Sequence, residues 1–436
     1  MQTIVHRTMI VTVLAGILVT TAFSLPQDVT SVGKSGQSPA ETLDTLSTSC
    51  LDLVVNSNGN FGNNSAGTVN MDYFGPTDCD TGLNSRGNSR VYLGEGSPII
   101  IRRLTSTTYV ASWSIYGDNR FVRAPGGNPE SAFSTSSYNA YTTGTLLTAD
   151  SSVKVELTWY APTHADSCNF VVQKMLVFPA TISSPVANLQ IGQAFDFDIP
   201  TDSGTANNVS GSDAARRMVW LRGFNSTDTV TDCVDNGRRY GGAALLNWYM
   251  KSRTCLDSLW SGSAEASDML RDPLGHLIPD SVSKTMHIAG YGVRPAITDQ
   301  IGLLTYRDGM AGYTLPANDT LTIITAIATV RTAASAYAGL DSLKKAIDKA
   351  KMFNWKTLHQ CGGCCVGKRG NVNCVGIVDL SDLSAFVSYL TGGGFVLCCL
   401  EEADMNGNGV IDLWDISCLI SMLTGGWCAP ADCPMW

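Results

Sequence analysis

The chain has 436 residues, 29 Lys and Arg against 38 Asp and Glu, a formal charge of -9 and 14 cysteines. With 44% hydrophobic and only 15% charged residues, it is neither a disordered acidic chain nor a collagen-like one. Its acidic balance leaves no electrostatic footprint for nucleic acid or an anionic membrane, and at roughly 100–200 residues per domain its length suggests two or three domains.

His6 and Arg7 precede an apolar run from Met9 to about Phe23, and Ala22-Phe23-Ser24 closes it with small residues. Basic, apolar and small regions in that order predict a secretory signal peptide over 1–24. Thr12, Thr20 and Thr21 interrupt the run, and spanning a bilayer needs about 20 apolar residues. The expected mature chain is therefore extracellular or at the cell surface, without a membrane span. Residues 25–49 are rich in Ser, Thr, Gln and Pro without periodicity and read as a linker.

Export makes the cysteines disulfide partners first and metal ligands second. Cys50, Cys79, Cys168, Cys233 and Cys255 lie in the long body, and the other nine, from Cys361 to Cys433, crowd the tail. Both groups are odd in number, so either one bridge ties body to tail or each part keeps a free thiol. The pairing cannot be deduced from spacing. Cys361-Gly-Gly-Cys364 has neither a second such pair nor a His at zinc-site spacing.

From Cys50 to Arg331 the pattern is β. Val153, Val155, Leu157 and Trp159 alternate with Lys154, Glu156 and Thr158, as in a strand with one buried face. Further strands are predicted at Pro98–Leu104, Tyr109–Tyr116, Phe170–Phe178, Leu189–Phe197, Met218–Leu221 and Leu321–Val330. Polar, Gly-rich clusters at 57–67 and 201–213 read as loops between them. Many short strands favour β-sandwich units, one over 50–180 and one over 181–335, or a single large double sheet.

The body carries no HExxH helix, GxSxG elbow, phosphate loop or dinucleotide fingerprint. His164, His276 and His287 stand too far apart in sequence to suggest a site. Asp196, Asp198, Asp202 and Asp213 form a cluster suited to a cation or, more simply, to capping strand ends. Glu95 and Glu156 are the strand-associated candidates for glycoside chemistry, which needs two carboxylates at close range. Trp113, Trp159, Trp220, Trp248, Trp260 and Tyr160 suit either a sugar-stacking platform or the core.

A helix is predicted over 338–356, where Leu340, Leu343, Ile347 and Ala350 recur at helical spacing between Lys344, Lys345, Asp348 and Lys349. Beyond it, NVNCVGIVDLSDLSAFVSYLTGG from Asn371 and DMNGNGVIDLWDISCLISMLTGG from Asp404 align without gaps at a shift of 33 residues. Each copy is a polar loop feeding an amphipathic helix, a duplicated supersecondary unit. Leu383, Phe386, Val387 and Leu390 match Ile416, Leu419, Ile420 and Leu423, giving each helix an apolar stripe for the other.

The loops have calcium-loop spacing, with alternate oxygen-bearing residues around a glycine turn. The second offers Asp404, Asn406 and Asn408 at positions 1, 3 and 5, Gly409 at the turn, the Val410 carbonyl at 7, Asp412 at 9 and Asp415 at 12. The first offers Asn371, Asn373, the Ile377 carbonyl, Asp379 and Asp382, with Val375 at position 5 contributing no side-chain oxygen. Weaker calcium binding is expected there, because ligand number and charge both fall. The bland reading is an Asx-rich turn capping each helix.

This loop-plus-single-helix unit, repeated once, resembles the type I dockerin domain over residues 371–426. The resemblance implies a small α-helical calcium module within the Cys-rich segment 361–436, docking onto a protein partner, cohesin-like or within the same chain. The family's partner-reading positions 10 and 11 correspond to Leu380-Ser381 and Leu413-Trp414, not the usual Ser/Thr pair. In the body, VANLQIGQAFDFDIPTDSG and DAARRMVWLR, within 186–222, resemble a β-rich module of secreted bacterial proteins without an established activity.

The expected architecture is mainly β, one or two sandwich-like units followed by the dockerin-like module. Three functions stay open. The leading one is a non-catalytic extracellular protein that docks through its calcium tail. The others are a polysaccharide-degrading enzyme carrying that tail and a carbohydrate-binding protein.

Overall fold

The computed structural model describes residues 27–28, 42–62, 71–73, 91–105, 108–199, 208–223, 239–251, 261–274, 276–287, 292–293, 298–307, 313–331, 336–358, 369–373, 375, 377–395, 397, 399–407 and 410–431. Expectations for the signal peptide, Asp202, Trp260, Cys361, Cys364, Asn408 and Gly409 lie outside them.

Two large sheets face each other. The first contains eight strands in the order Gln27–Asp28, Thr108–Ser112, Glu95–Arg103, Val186–Asp196, Gln300–Arg307, Ser261–Ala266 and Gly292–Val293, with Tyr313–Leu315 pairing on Val186–Asp196. The second contains nine, ordered Val122–Arg123, Tyr138–Leu147, Val153–Pro162, Phe170–Pro179, Leu321–Arg331, Arg239–Met250, Met218–Gly223 and Asn208–Asp213, with Ser131–Ser134 on Tyr138–Leu147. Strands from before and after residue 180 share both sheets. A smaller sheet is formed by Leu43–Ser47, Leu51–Asn56, Met71–Tyr73 and Val91–Leu93. The stretch expected as a linker thus contributes strands, because Leu43–Ser47 pairs antiparallel with the apolar run Leu51–Asn56.

Alternation dictates the layers. Val155, Leu157 and Trp159 point inward against Ile191, Phe195 and Phe197 of the opposite sheet, and Phe61 wedges between Trp159 and Phe195. Leu321–Arg331 alternates less because both its faces are covered. One face lies in this inter-sheet core, and the other packs Ile324, Ala326 and Ala328 under Leu343, Ile347 and Ala350 of the helix Ala336–Phe353. Short helices Ser267–Leu270 and Pro279–His287 cover the outer face of the eight-stranded sheet over Ile99, Ile101, Ala194, Ile301 and Leu303. The result is a helix–sheet–sheet–helix stack.

Asn208–Asp213, expected as loop, is an edge strand. Its Gly211 faces Trp220 across the ladder, and a Cβ there would lie 2.0 Å from the indole. The glycine that reads as a loop signal is the residue that lets the aromatic lie over the strand.

Candidate functional site

The C-terminal repeat folds as two matching halves. Leu380–Leu390 and Leu413–Leu423 each begin at an Asp N-cap, Asp379 or Asp412, with Asp382 or Asp415 completing a capping box. Each helix ends alike, Gly393 N–H donating to Ser388 O at 2.7 Å and Gly426 N–H to Ser421 O at 2.6 Å. Phe386 and Leu419 are buried between the halves. Val387 and Ile420, expected in the stripe, face outward instead, and Ala385 and Cys418 take the core positions.

The position-12 carboxylates sit alike in both copies. Asp382 accepts from Asn373 N–H at 2.9 Å and Asp379 N–H at 2.8 Å. Asp415 accepts from Asn406 N–H at 3.3 Å and Asp412 N–H at 2.9 Å. Both residues are 0% exposed. In the first loop the side-chain oxygens of Asn371 and Asn373 both accept from Val375 N–H, at 3.1 and 2.7 Å, so the loop folds around its own centre. Ile377 and Val410, whose carbonyls were the position-7 candidates, have exposed side chains. The capping role is therefore fulfilled by the same acids that calcium would use.

Charge distinguishes the loops. Burial first, then the charges of Asp404 and Asp412, raise the Asp415 carboxyl above its usual range, against the pull of the Asp412 and Asn406 N–H groups. Asp404, Asp412 and Asp415 supply the hard oxygen donors calcium takes, but among the described residues their carboxylates are not drawn into one cluster, Asp412 capping its helix and Asp404 being held by Arg369. In the first loop the Ser381 hydroxyl and N–H hold the exposed Asp379 carboxyl below its usual range. Sequence reading missed Arg369. Its buried guanidinium donates to the Asp404 carbonyl at 2.8 Å and lies 3.3 Å from the Asp404 carboxylate, so the segment before the first loop grips the second. Glu402 returns the contact by accepting from Asn371 N–H at 3.0 Å.

In the body, the cluster expected at Asp196, Asp198, Asp202 and Asp213 divides. Asp213 lies on the nine-stranded sheet and binds Arg216 at 3.1 Å and Lys344 at 3.4 Å, clamping the helix Ala336–Phe353. Despite burial, the Arg216 N–H and guanidinium hold its carboxyl low. Asp196 ends a central strand of the other sheet and Asp198 follows it, while the neighbouring strand, which starts at Gln300, brings Asp299 to them. Carboxylate oxygens of Asp196, Asp198 and Asp299 lie within 4.8 Å of one another. Asp196 pairs across the ladder with Glu95, and Gly94 makes the room: a Cβ on it would stand 2.3 Å from Asp198 Oδ2. Tyr116 reaches the cluster from the tip of the hairpin Ser114–Ile115/Asp118–Asn119. Its N–H donates to Glu95 at 2.5 Å, and the Arg271 guanidinium lies 4.0 Å from its ring centre. Burial, then the charges of Asp198 and Asp299, push the Asp196 carboxyl well up, with Arg271 opposing. Burial, then Asp196, likewise raise the Tyr116 phenol.

The remaining candidates stay apart. Glu156 is on the nine-stranded sheet, bonded to Thr145 and to Asn128, so it does not share a ladder with Glu95. His164 caps an exposed turn, His276 stands 3.8 Å from Asp272, and His287 ends a helix. Trp113, Trp159 and Trp248 are fully buried, which removes them from any stacking platform. Among the described residues, Cys50–Cys168 and Cys418–Cys428 are disulfides, each within its own part of the chain, Cys399 is also bridged, and no cysteine is free.

The sequence matches no family model, and no curated protein matches it. Solved structures similar to the chain include a protein described as a kojibiose phosphorylase from the human microbiome (11% identity, TM-score 0.35, 71% of this chain and 33% of the other). A bacterial glucoamylase complexed with acarbose is also similar (9%, TM-score 0.36, 71% and 36%). So is a galactose mutarotase related enzyme from Lactobacillus acidophilus (7%, TM-score 0.29, 66% and 97%). The chain spans about a third of the phosphorylase and of the glucoamylase. Superpositions this loose assign neither fold family nor activity. No helix among the described residues is long and apolar enough to cross a membrane.

Proposed function

We propose that the chain is an extracellular β-sandwich protein whose C-terminal module binds calcium and docks onto a protein partner. The observation that carries this reading is the twofold recurrence of a fully buried position-12 aspartate held by the backbone of positions 3 and 9. Asp404, Asn406, Asp412 and Asp415, with the Val410 carbonyl and Asn408, would hold the ion in the second loop. Asn371, Asn373, Asp379, Asp382 and the Ile377 carbonyl would hold a weaker one. Calcium would supply charge neutralisation, and the chain supplies preformed caps that fix each helix relative to its loop.

Exposed apolar side chains recur at matching positions of the two halves. Leu380 matches Leu413, Val387 matches Ile420, and Trp414 is also exposed. Such a patch is characteristic of a protein-binding face. The reading predicts that Asp404→Ala with Asp415→Ala in the full chain removes the tighter calcium site in calorimetric titration. It also predicts that Leu413→Ser with Trp414→Ser abolishes calcium-dependent capture of partners from the source's extracellular fraction while leaving calcium binding intact. Unchanged affinity and stoichiometry in the aspartate variant would end the calcium reading; unchanged capture in the second would end the docking face.

A polysaccharide-active body is the second reading. The observation favouring it is the acid face itself, where the buried Asp196 carboxyl, pushed up by burial, adjoins the partly exposed carboxyls of Asp198 and Asp299, the residue type that general acid catalysis on a glycosidic bond uses. Incubation with a polysaccharide panel tests it: product release supports an enzyme, retention without product supports a binding protein, and the absence of both removes this reading.

A further inference from the structure

The acid face at the end of the eight-stranded sheet contradicts ordinary sheet chemistry. Asp196 pairs directly with Glu95 on one neighbouring strand. On the other side its register partner is Ile301, and continuing that antiparallel register by two residues sets Asp198 opposite Asp299. Successive side chains alternate between faces, so all four acids project from the same face. Like charges placed directly opposite across a ladder are destabilising. Here two such pairs sit side by side, at the margin of the apolar layer formed by Trp113, Ile115, Leu270 and Ile301.

Two buried oxygens at this face lack a hydrogen bond of ordinary geometry among the described residues. Asp196 is 8% exposed, and its Oδ1 makes no hydrogen bond among the described residues. The buried hydroxyl of Tyr116, from a different element, makes none of ordinary geometry either, and leans on the Asp196 carboxyl itself. An unsatisfied buried polar group costs about 1–3 kcal/mol, and here two of them converge where three carboxylates already crowd within 4.8 Å. Arg271, stacked on the Tyr116 ring, offsets part of the charge. A hard cation relieves the repulsion and completes the coordination of the Asp196 oxygen that no well-formed hydrogen bond reaches. Oxygens on one calcium ion, each about 2.3–2.6 Å from it, can stand up to about 5 Å apart, which the spacing matches. Asp198 and Asp299 are only partly buried, so an ion has a path from solvent.

We infer that Asp196, Asp198 and Asp299 form a divalent-cation site of the calcium class in the β body, separate from the tail loops, with Tyr116 and Glu95 as its positioning residues. The site fastens the C-terminal end of one central strand to the N-terminal end of its neighbour and to the hairpin above them. Carboxylate ligands without thiol or imidazole select calcium, magnesium or manganese over zinc or copper. It stands whether or not the tail binds calcium.

Equilibrium dialysis of the full chain against calcium tests it. The variant D198N/D299N should bind one ion fewer per chain than the unaltered protein, while D404A/D415A in the tail leaves this ion in place. Terbium luminescence excited through tyrosine should fall in D198N/D299N, since Tyr116 stands beside the site. Removing the like charges should also raise the melting temperature in chelator and abolish the rise that calcium gives. Should the double variant fail to fold, D299N alone, at a partly exposed position, is read by the same luminescence. A calcium count and terbium signal unaltered by these substitutions would overturn the inference.

Discussion

Tyr306 lies buried between the two sheets, where an apolar side chain would be the default. Its hydroxyl donates to Gln193 Oε1 at 2.5 Å and shares a 2.8 Å hydrogen bond with Thr325, while Gln193 in turn bonds Gln173. Burial drives the phenol far above its ordinary range, so it remains a donor across the working pH range. Tyr306→Phe leaves a Gln193 oxygen short of a donor in a low-dielectric core and should cost about 1–3 kcal/mol. Urea unfolding should show a lower midpoint at unchanged slope. At this scale the sequence was readable where chemistry is local: Asp196 and Asp198 are near neighbours in the chain, as are the loop acids. Asp299, Glu95 and Tyr116 were not, because only strand pairing and a hairpin tip bring them to the same place.

The helix Ala336–Phe353 shows how much an element's pattern can reveal. Leu343, Ile347 and Ala350 repeat at helical spacing, and those residues are the ones buried on the sheet. What periodicity could not show is the fate of Lys351 in its last turn. Burial lowers its ammonium to a pKa of about 8; Asp348 opposes this, and Arg217 and Arg216 add to it. The folded pKa therefore lies below the unfolded value of 10.5. Between about pH 8 and 10.5 the unfolded chain binds more protons, so this group makes stability rise with pH across that window. Lys351→Met should flatten this rise in melting temperature measured against pH. Asn208–Asp213 failed in the opposite direction: its Gly, Ser and Asn composition reads as loop, and only the Trp220 ring laid over Gly211 explains the strand.

The molecule as a whole is held by crosslinks and by strand order. Cys50–Cys168 joins the turn before Leu51–Asn56 to the turn before Phe170–Pro179 across 118 residues. Closing so long a loop restricts the unfolded chain far more than Cys418–Cys428, which spans 10. Cys50→Ser with Cys168→Ser should lower unfolding free energy by about 2–5 kcal/mol, read as a fall in melting temperature that reducing agent reproduces in the unaltered chain.

Strand order has a further consequence in time. Leu321–Arg331 is inserted between Phe170–Pro179 and Arg239–Met250 at the middle of the nine-stranded sheet, although it is the last described strand of the body in the chain. Until it arrives, two apolar strand edges face each other with an empty lane between them, and the pairings that fill it are long-range. Assembly of this kind is slow, and its half-built forms are adhesive. A nascent or refolding chain thus keeps its largest sheet open until residue 331 is present, and every truncation of the body that stops short of it inherits two unprotected edges.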